Sequence, residues 1–95
     1  MPEMRMAVRW PDGSQESCYS PSRVLKDYFR AGESYGLADF QARSRTALEA
    51  ASARVEAKYG FSCSRAREQL ARIEVRCRSF VDFPDAQVRV EALHE

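Results

Sequence analysis

The chain has 95 residues, a size that predicts one domain, residues 1–95, with one modest core. Its hydrophobic fraction of 44% is typical of globular proteins and argues against an intrinsically disordered chain. A formal net charge of +1 gives no overall bias towards nucleic acid or anionic membranes. No apolar run reaches the length of a membrane span or a secretory signal, so we expect a cytoplasmic protein.

The first predicted element is a β-hairpin. Residues 4–9 alternate apolar and charged side chains, as in a half-buried strand. Residues 10–13, WPDG, favour a tight turn, and residues 14–19 form the returning strand. Pairing across this turn places Met6 opposite Cys18, so Cys18 is expected on the core face as a packing cysteine. That face carries Met4, Met6, Val8 and Cys18.

Three helices are predicted next. A Ser-Pro pair begins the first, over about residues 21–30. Residues 33–36 form a short connection, and a long helix follows over about residues 37–59, ended by Gly60. The third helix begins between residues 62 and 64 and runs to about 80. The spacing of its apolar residues is typical of an antiparallel helix pair.

Residues 86–93 alternate again and predict a third strand, with Val88, Val90 and Ala92 on one side. Strands at the two ends of a chain pair most simply beside each other. The predicted fold is therefore α+β, a three-stranded antiparallel sheet packed against three helices in the order ββαααβ.

The free edge of this sheet belongs either to the strand that carries Cys18 or to the C-terminal strand, depending on strand order. The C-terminal strand has no proline and no bulge signal, and two copies paired antiparallel would place Arg89 opposite Glu91. This favours a homodimer, through this edge or through an aromatic surface around Trp10 and Tyr35, with a monomer as the alternative.

Cys63 is the candidate reactive thiol, because the start of a helix favours a thiolate and Arg65 and Arg67 lie close in sequence. Its alternative is a packing cysteine, since it also begins the core-facing seam of the third helix. Cys77 lies in the middle of that seam and is expected to pack. An odd number of cysteines without metal-ligand spacing indicates free thiols.

No catalytic constellation is visible in the rest of the sequence. His94, the single histidine, stands next to the last residue, and no phosphate-binding or dinucleotide-binding motif is present. We therefore expect no metal, no cofactor and no enzymatic activity.

Two surfaces are candidates for binding. Arg65, Arg72 and Arg76 share a face of the third helix and can contact phosphates, although a solvated face with intrahelical pairs such as Glu68–Arg72 and Glu74–Arg78 is the simpler interpretation. The first third of the chain is rich in aromatic residues, which either complete a small core or form a partner surface. The candidate partner surface comprises Trp10, Tyr19, Tyr28 and Tyr35.

Several stretches resemble one family along nearly the whole chain: "RWPDGSQESCYSPS" from Arg9, "KDYF" from Lys26, "KYGFSCS" from Lys58 and the closing "VRVEAL". Together they are similar to the small bacterial nitrogen-starvation-response proteins, a family first named from a mycobacterial member. That family is expected to have proline near positions 31 and 36, where this chain has alanine and glycine.

The resemblance implies a role under nitrogen limitation. It also implies a gene neighbourhood, a nitrilase gene cluster with a nitrilase-superfamily hydrolase, a radical-SAM protein, an acetyltransferase-like protein and a flavin-dependent oxidoreductase. It supplies no catalytic residues. The sequence hypothesis is a non-enzymatic accessory protein that binds a product of such a cluster. A thiol-dependent enzyme or carrier using Cys63 is the alternative, and a nucleic-acid-binding regulator using the helix-three arginines is a weaker one.

Overall fold

The computed structural model describes residues 3–61 and 63–95. Within these residues the elements are strand β1 (Met4–Arg9), strand β2 (Gln15–Ser20), a 3-10 helix (Arg23–Asp27), strand β3 (Ser34–Gly36), helix α1 (Leu37–Tyr59), helix α2 (Ser64–Ser79) and strand β4 (Gln87–His94). The strands form an antiparallel sheet in the order β2-β1-β4-β3. The α+β class is confirmed, but the described part of the chain has four strands and two α-helices rather than three of each.

The hairpin has the predicted register. Met6 pairs with Cys18, and the Trp10 amide donates to the carbonyl of Ser14 at 2.8 Å. Gly13 has φ +87°, a conformation that glycine adopts without strain. The carboxylate of Asp12 accepts a 2.9 Å hydrogen bond from the Ser14 amide and holds the turn closed.

The first predicted helix is shorter than expected and is a 3-10 helix. Its N-cap is Ser22 rather than Ser20, and the Ser22 hydroxyl accepts from the Val24 amide at 3.3 Å. The Ser20 hydroxyl instead donates to the carbonyl of Ser22 at 2.7 Å. Gly32, with φ +89°, turns the chain soon afterwards. The helix is therefore confined to Arg23–Asp27, a length at which 3-10 geometry is common.

The predicted connection over residues 33–36 contains strand β3. Tyr35 pairs with Val88, and the Val90 amide donates to the carbonyl of Glu33 at 2.9 Å. Three residues are too few to show an alternating pattern, so only the contact with β4 reveals this strand.

Strand β4 lies inside the sheet, between β1 and β3, so of the two candidate edges the strand that carries Cys18, β2, is confirmed, and pairing of two copies through the edge of β4 is excluded. Strand β4 also contains a bulge. Val8 pairs with Val90 and Ala7 with Ala92, which leaves Glu91 as the extra residue. As a result Leu93, rather than the predicted Ala92, packs against the core. The carboxylate of Glu91 accepts from Arg9 at 3.3 Å and Gln15 at 2.8 Å.

The two α-helices pack together over one face of the sheet. Helix α1 has the predicted bounds, and Gly60 ends it with φ +84°. Helix α2 begins at Ser64; the other predicted starting position, residue 62, lies outside the described residues. Arg45 of α1 forms an ion pair with Glu74 of α2, which replaces the predicted Glu74–Arg78 pair. The largest fully buried side chains include Trp10, Phe29, Phe40, Met4, Met6, Leu25 and Ile73.

Candidate functional site

Trp10, expected at a partner surface, lies in the core and is 2% exposed. Its ring centroid is 5.5 Å from that of Phe40 and 6.0 Å from that of Phe80. Its indole nitrogen donates to Glu16 at 3.0 Å. Because the strand face that carries Trp10 points towards both helices, the ring completes the core, as in the alternative interpretation.

Tyr35 is also buried, with its ring 5.3 Å from that of Phe29 and its hydroxyl accepting from the Arg30 amide at 2.8 Å. Tyr28 is half-buried. Arg43 joins the two tyrosines, because its guanidinium lies 5.0 Å from the Tyr35 ring centroid and donates to the Tyr28 carbonyl at 2.8 Å. These residues line a cleft of about 340 Å³ whose other walls are mostly charged. The cleft is polar, and neither tyrosine offers an apolar surface to a partner there.

Tyr19 and Cys63, predicted separately, come together in a second cleft. It measures about 300 Å³ and lies where α1 ends and α2 begins. We call it the aromatic groove, and it is lined by Glu3, Tyr19, Pro21, Val55, Tyr59, Phe61 and Cys63.

Two aromatic rings at the mouth of the aromatic groove were missed by sequence reasoning. Phe61 is 67% exposed and Tyr59 is 50% exposed, with ring centroids 6.3 Å apart. The apolar spacing of residues 37–59 predicts that Tyr59 belongs to the buried stripe of α1, and a residue that follows a C-terminal glycine is expected to fold back on the last turn of its helix. The available signal in the sequence is the position of these two aromatic residues on either side of Gly60, at a helix end, where fewer elements can cover a side chain.

Tyr19 forms the floor of the groove and has little exposed surface. The Arg65 guanidinium lies 3.9 Å from its ring centroid, and that of Arg5 lies 5.7 Å away, both within the range of cation–π attraction. Arg65 is also 3.8 Å from the carboxylate of Glu3. Burial raises the pKa of the Tyr19 phenol above its ordinary value, and the Arg65 charge opposes this rise. The phenol is therefore neutral at physiological pH.

The three cysteines have different environments. Cys63 is the N-cap of α2, half-buried, and its amide donates to the Ser52 hydroxyl at 3.4 Å. Cys18 and Cys77 are buried, and burial raises the pKa of their thiols to about 12 and about 11. Both are packing cysteines, as predicted, and Cys63 is the accessible thiol of the three.

We expect iodoacetamide to label the native protein at Cys63 alone at pH 8. Cys18 and Cys77 should react only after unfolding in urea, because burial blocks access and keeps both thiols protonated. Mass spectrometry of tryptic peptides measures the modified fraction at each position. A Cys63→Ser variant is the control and should take up no label when native. Labelling of native Cys18 or Cys77 at the Cys63 rate would contradict this packing.

The arginines of α2 share a face, as predicted, but two of the three are occupied within the chain. Arg65 contacts Tyr19 and Glu3, and Arg76 lies 5.2 Å from the Trp10 ring centroid and 3.9 Å from Glu16. Arg72 lies 3.4 Å from the side-chain oxygen of Gln69, not within ion-pair distance of Glu68. This face is therefore not a continuous row of uncommitted positive charges.

Within residues 3–61 and 63–95, no three metal-ligating side chains lie together in one place. In the same residues, neither helix has the length and apolar character needed to cross a membrane.

The family comparison agrees with the resemblance noted above. A family model described as nitrogen starvation-induced protein NitG matches residues 5–93. No curated protein and no solved structure matches the chain. Because the match covers nearly the full length, the chain belongs to the NitG family of nitrogen starvation-induced proteins.

Proposed function

We propose that this protein is a non-enzymatic accessory protein of the nitrogen-starvation response that binds another protein through the aromatic groove. The observation that carries the proposal is the 67% exposure of Phe61 beside the half-exposed ring of Tyr59. Two neighbouring aromatic side chains left in water are costly for the free protein, and aromatic residues are enriched where proteins bind each other.

The groove behind these rings supports the same function. Val55, Pro21 and Tyr19 give it an apolar wall, and Glu3 and the Arg65 guanidinium provide charges at its margin. An apolar centre with a polar rim is the usual organisation of a binding surface. A partner that inserts an apolar side chain between Phe61 and Tyr19 fits this arrangement.

The family resemblance suggests which partners to test first. Its gene neighbourhood includes a nitrilase-superfamily hydrolase and a flavin-dependent oxidoreductase, and an accessory protein acts most simply on an enzyme encoded beside it. We therefore propose one of these two enzymes as the partner.

The test is a pull-down with each purified enzyme, followed by interferometry to measure affinity. We expect Phe61→Ser to weaken binding at least about tenfold, as expected for an aromatic residue at the centre of an interface. Val81→Ser is the matched control, because Val81 is 72% exposed but follows the opposite end of α2. The proposal is overturned if neither enzyme binds at micromolar concentration, or if Phe61→Ser binds as tightly as the unchanged protein.

Cys63 favours a second candidate function, a thiol-dependent carrier or enzyme. Its half-buried side chain lines the aromatic groove at the start of α2, where the helix dipole favours negative charge. Such a function requires Cys63 to react with iodoacetamide much faster than free cysteine at pH 7. A rate equal to that of free cysteine excludes it, and binding that survives Cys63→Ser favours the accessory function.

A further inference from the structure

Strand β2 forms one edge of the sheet, and part of its backbone is open. The bond from the Trp10 amide to Ser14 sets the hydrogen-bonded pairs of the hairpin, so the backbone groups of Gln15, Ser17 and Tyr19 point away from β1. The Tyr19 amide donates to the side-chain oxygen of Gln69 on α2 at 3.0 Å. Ser17 is exposed, and among the described residues no group bonds to its outward backbone. Helix α2 therefore protects one end of this edge and not its middle.

An open groove runs between this edge and α2. It measures about 340 Å³ and is lined by Glu16, Ala71, Arg72, Val75 and Arg76. Val75 is 56% exposed and provides its largest apolar side chain. A backbone edge beside an apolar helix face can accept an added strand, since the edge supplies hydrogen bonds and the groove accommodates side chains.

The charges of this edge groove select what can be added. Glu16 faces the helix side of β2. A charged side chain in such a position normally prevents a strand of another chain from pairing with the edge. The Glu16 side chain accepts from the Trp10 indole at 3.0 Å and lies 3.9 Å from Arg76. Arg72 has no carboxylate within 4.0 Å among the described residues. Arg72 donates to the Gln69 side-chain oxygen at 3.4 Å, and the same oxygen accepts from the Tyr19 amide at 3.0 Å, so the Arg72 guanidinium lies beside the Cys18–Tyr19 part of this edge. An added strand that places a carboxylate opposite Cys18 can therefore form an ion pair with Arg72.

We propose that a second copy of this chain adds its own β2 to this edge, antiparallel, about a two-fold axis at Ser17, so that Glu16 of each copy meets Arg72 of the other. In this register the two Ser17 residues exchange a pair of backbone hydrogen bonds. Glu16 then stands directly opposite Cys18 of the second copy, beside Arg72. If the two-fold axis lay at Glu16 instead, the Glu16 carboxylates of the two copies would stand opposite each other on the same face of the sheet, and their repulsion is unfavourable.

The dimer is a weak one. Gln69 already occupies the outward amide of Tyr19, so the ladder cannot extend freely beyond the Ser17 pair. A short ladder and a small groove give an interface at the lower end of the specific range, with micromolar affinity. The edge groove uses none of the residues that line the aromatic groove, so this inference and the proposed function fail independently.

Analytical ultracentrifugation from low to high micromolar concentration tests the dimer. Ser17→Pro should raise the dissociation constant at least about tenfold, because it removes the outward amide at the axis. An edge strand tolerates proline at a position whose amide faces outward, and far-ultraviolet circular dichroism checks the fold. Ser17→Thr keeps the amide and should leave the dissociation constant unchanged.

A charge reversal tests the ion pair separately. Arg72→Glu places like charges beside Glu16 of the second copy and should also weaken the dimer at least about tenfold. Arg78→Glu is the matched control, because Arg78 is exposed on the same helix and does not line the edge groove.

Cross-linking decides the register even if Ser17→Pro fails to fold. In a Cys63→Ser background, Ser17→Cys should form an intermolecular disulfide under mild oxidation, since hydrogen-bonded pairs have Cα atoms about 5.5 Å apart. Gln15→Cys, on the same strand, faces Tyr19 of the second copy and should not cross-link. A monomer at high micromolar concentration, a dimer unaffected by Ser17→Pro and Arg72→Glu, or equal cross-linking at both positions overturns the proposal.

Discussion

Replacing Trp10 with alanine is expected to lower the free energy of unfolding by about 3–5 kcal/mol, the usual cost of deleting a large buried aromatic side chain. The ring contacts Phe40 of α1 and Phe80 at the end of α2, so it connects the hairpin to both helices. The substitution also leaves the Glu16 carboxylate without its indole donor. Since a domain of this size is stable by about 5–15 kcal/mol, the variant loses a large share of its stability.

Urea unfolding followed by far-ultraviolet circular dichroism measures this loss, because Trp10 is the single tryptophan and its fluorescence disappears with it. Trp10→Phe keeps an aromatic ring and removes the indole donor, so we expect an intermediate loss. Val81→Ala is the exposed control and should change stability by less than about 0.5 kcal/mol. A loss below about 1 kcal/mol for Trp10→Ala would mean that the ring does not join the three elements as described.

Val90→Pro is expected to cost at least about 3 kcal/mol, through a lost backbone bond and lost core packing. Val90 is fully buried, its amide donates to Glu33 at 2.9 Å, and its carbonyl accepts from the Gly32 amide at 2.7 Å. Proline has no amide hydrogen to donate, so the Glu33 carbonyl loses its partner inside the sheet. From the sequence alone, this strand is one of two candidate edges, where proline is expected to weaken pairing between copies, with damage to the fold as the alternative.

The matched variant is Ser17→Pro, which removes an amide that bonds to nothing within the described chain. Chemical denaturation should show that Ser17→Pro lowers the free energy of unfolding by at least about 2 kcal/mol less than Val90→Pro does. Equal losses would contradict the strand order β2-β1-β4-β3, since they would place the two amides in equivalent positions.

The parts of the fold that were predicted correctly are those set by residues close together in the sequence. The hairpin register followed from the WPDG turn and the alternation of residues 4–9, and the end of α1 followed from Gly60. Strand β3 and the bulge at Glu91 depend on pairing between residues far apart in the chain, which no local pattern shows. Sequence reasoning therefore left two candidate edges, of which β2 is confirmed and β4 is not.

The candidate site was predicted only in part, for a similar reason. Cys63 was identified from its position at a helix start, and the structure places it beside Tyr19. Whether an aromatic residue is buried depends on what packs over it. Trp10 is covered by both helices, whereas Phe61 follows the end of α1 and is largely exposed.

The pairing of β1 with β4 has a consequence for how the chain acquires its shape during synthesis. Arg5 pairs with His94, so the central ladder of the sheet joins two strands that lie far apart in the chain and are translated at different times. The β1–β2 hairpin and the two helices can form while translation continues, but β1 keeps an open side and β3 has no strand to pair with until β4 emerges. Such long-range pairing slows folding compared with a helical bundle of equal size. The nascent chain therefore exposes unpaired strand edges until β4 has left the ribosome, and it is most prone to aggregation in that interval.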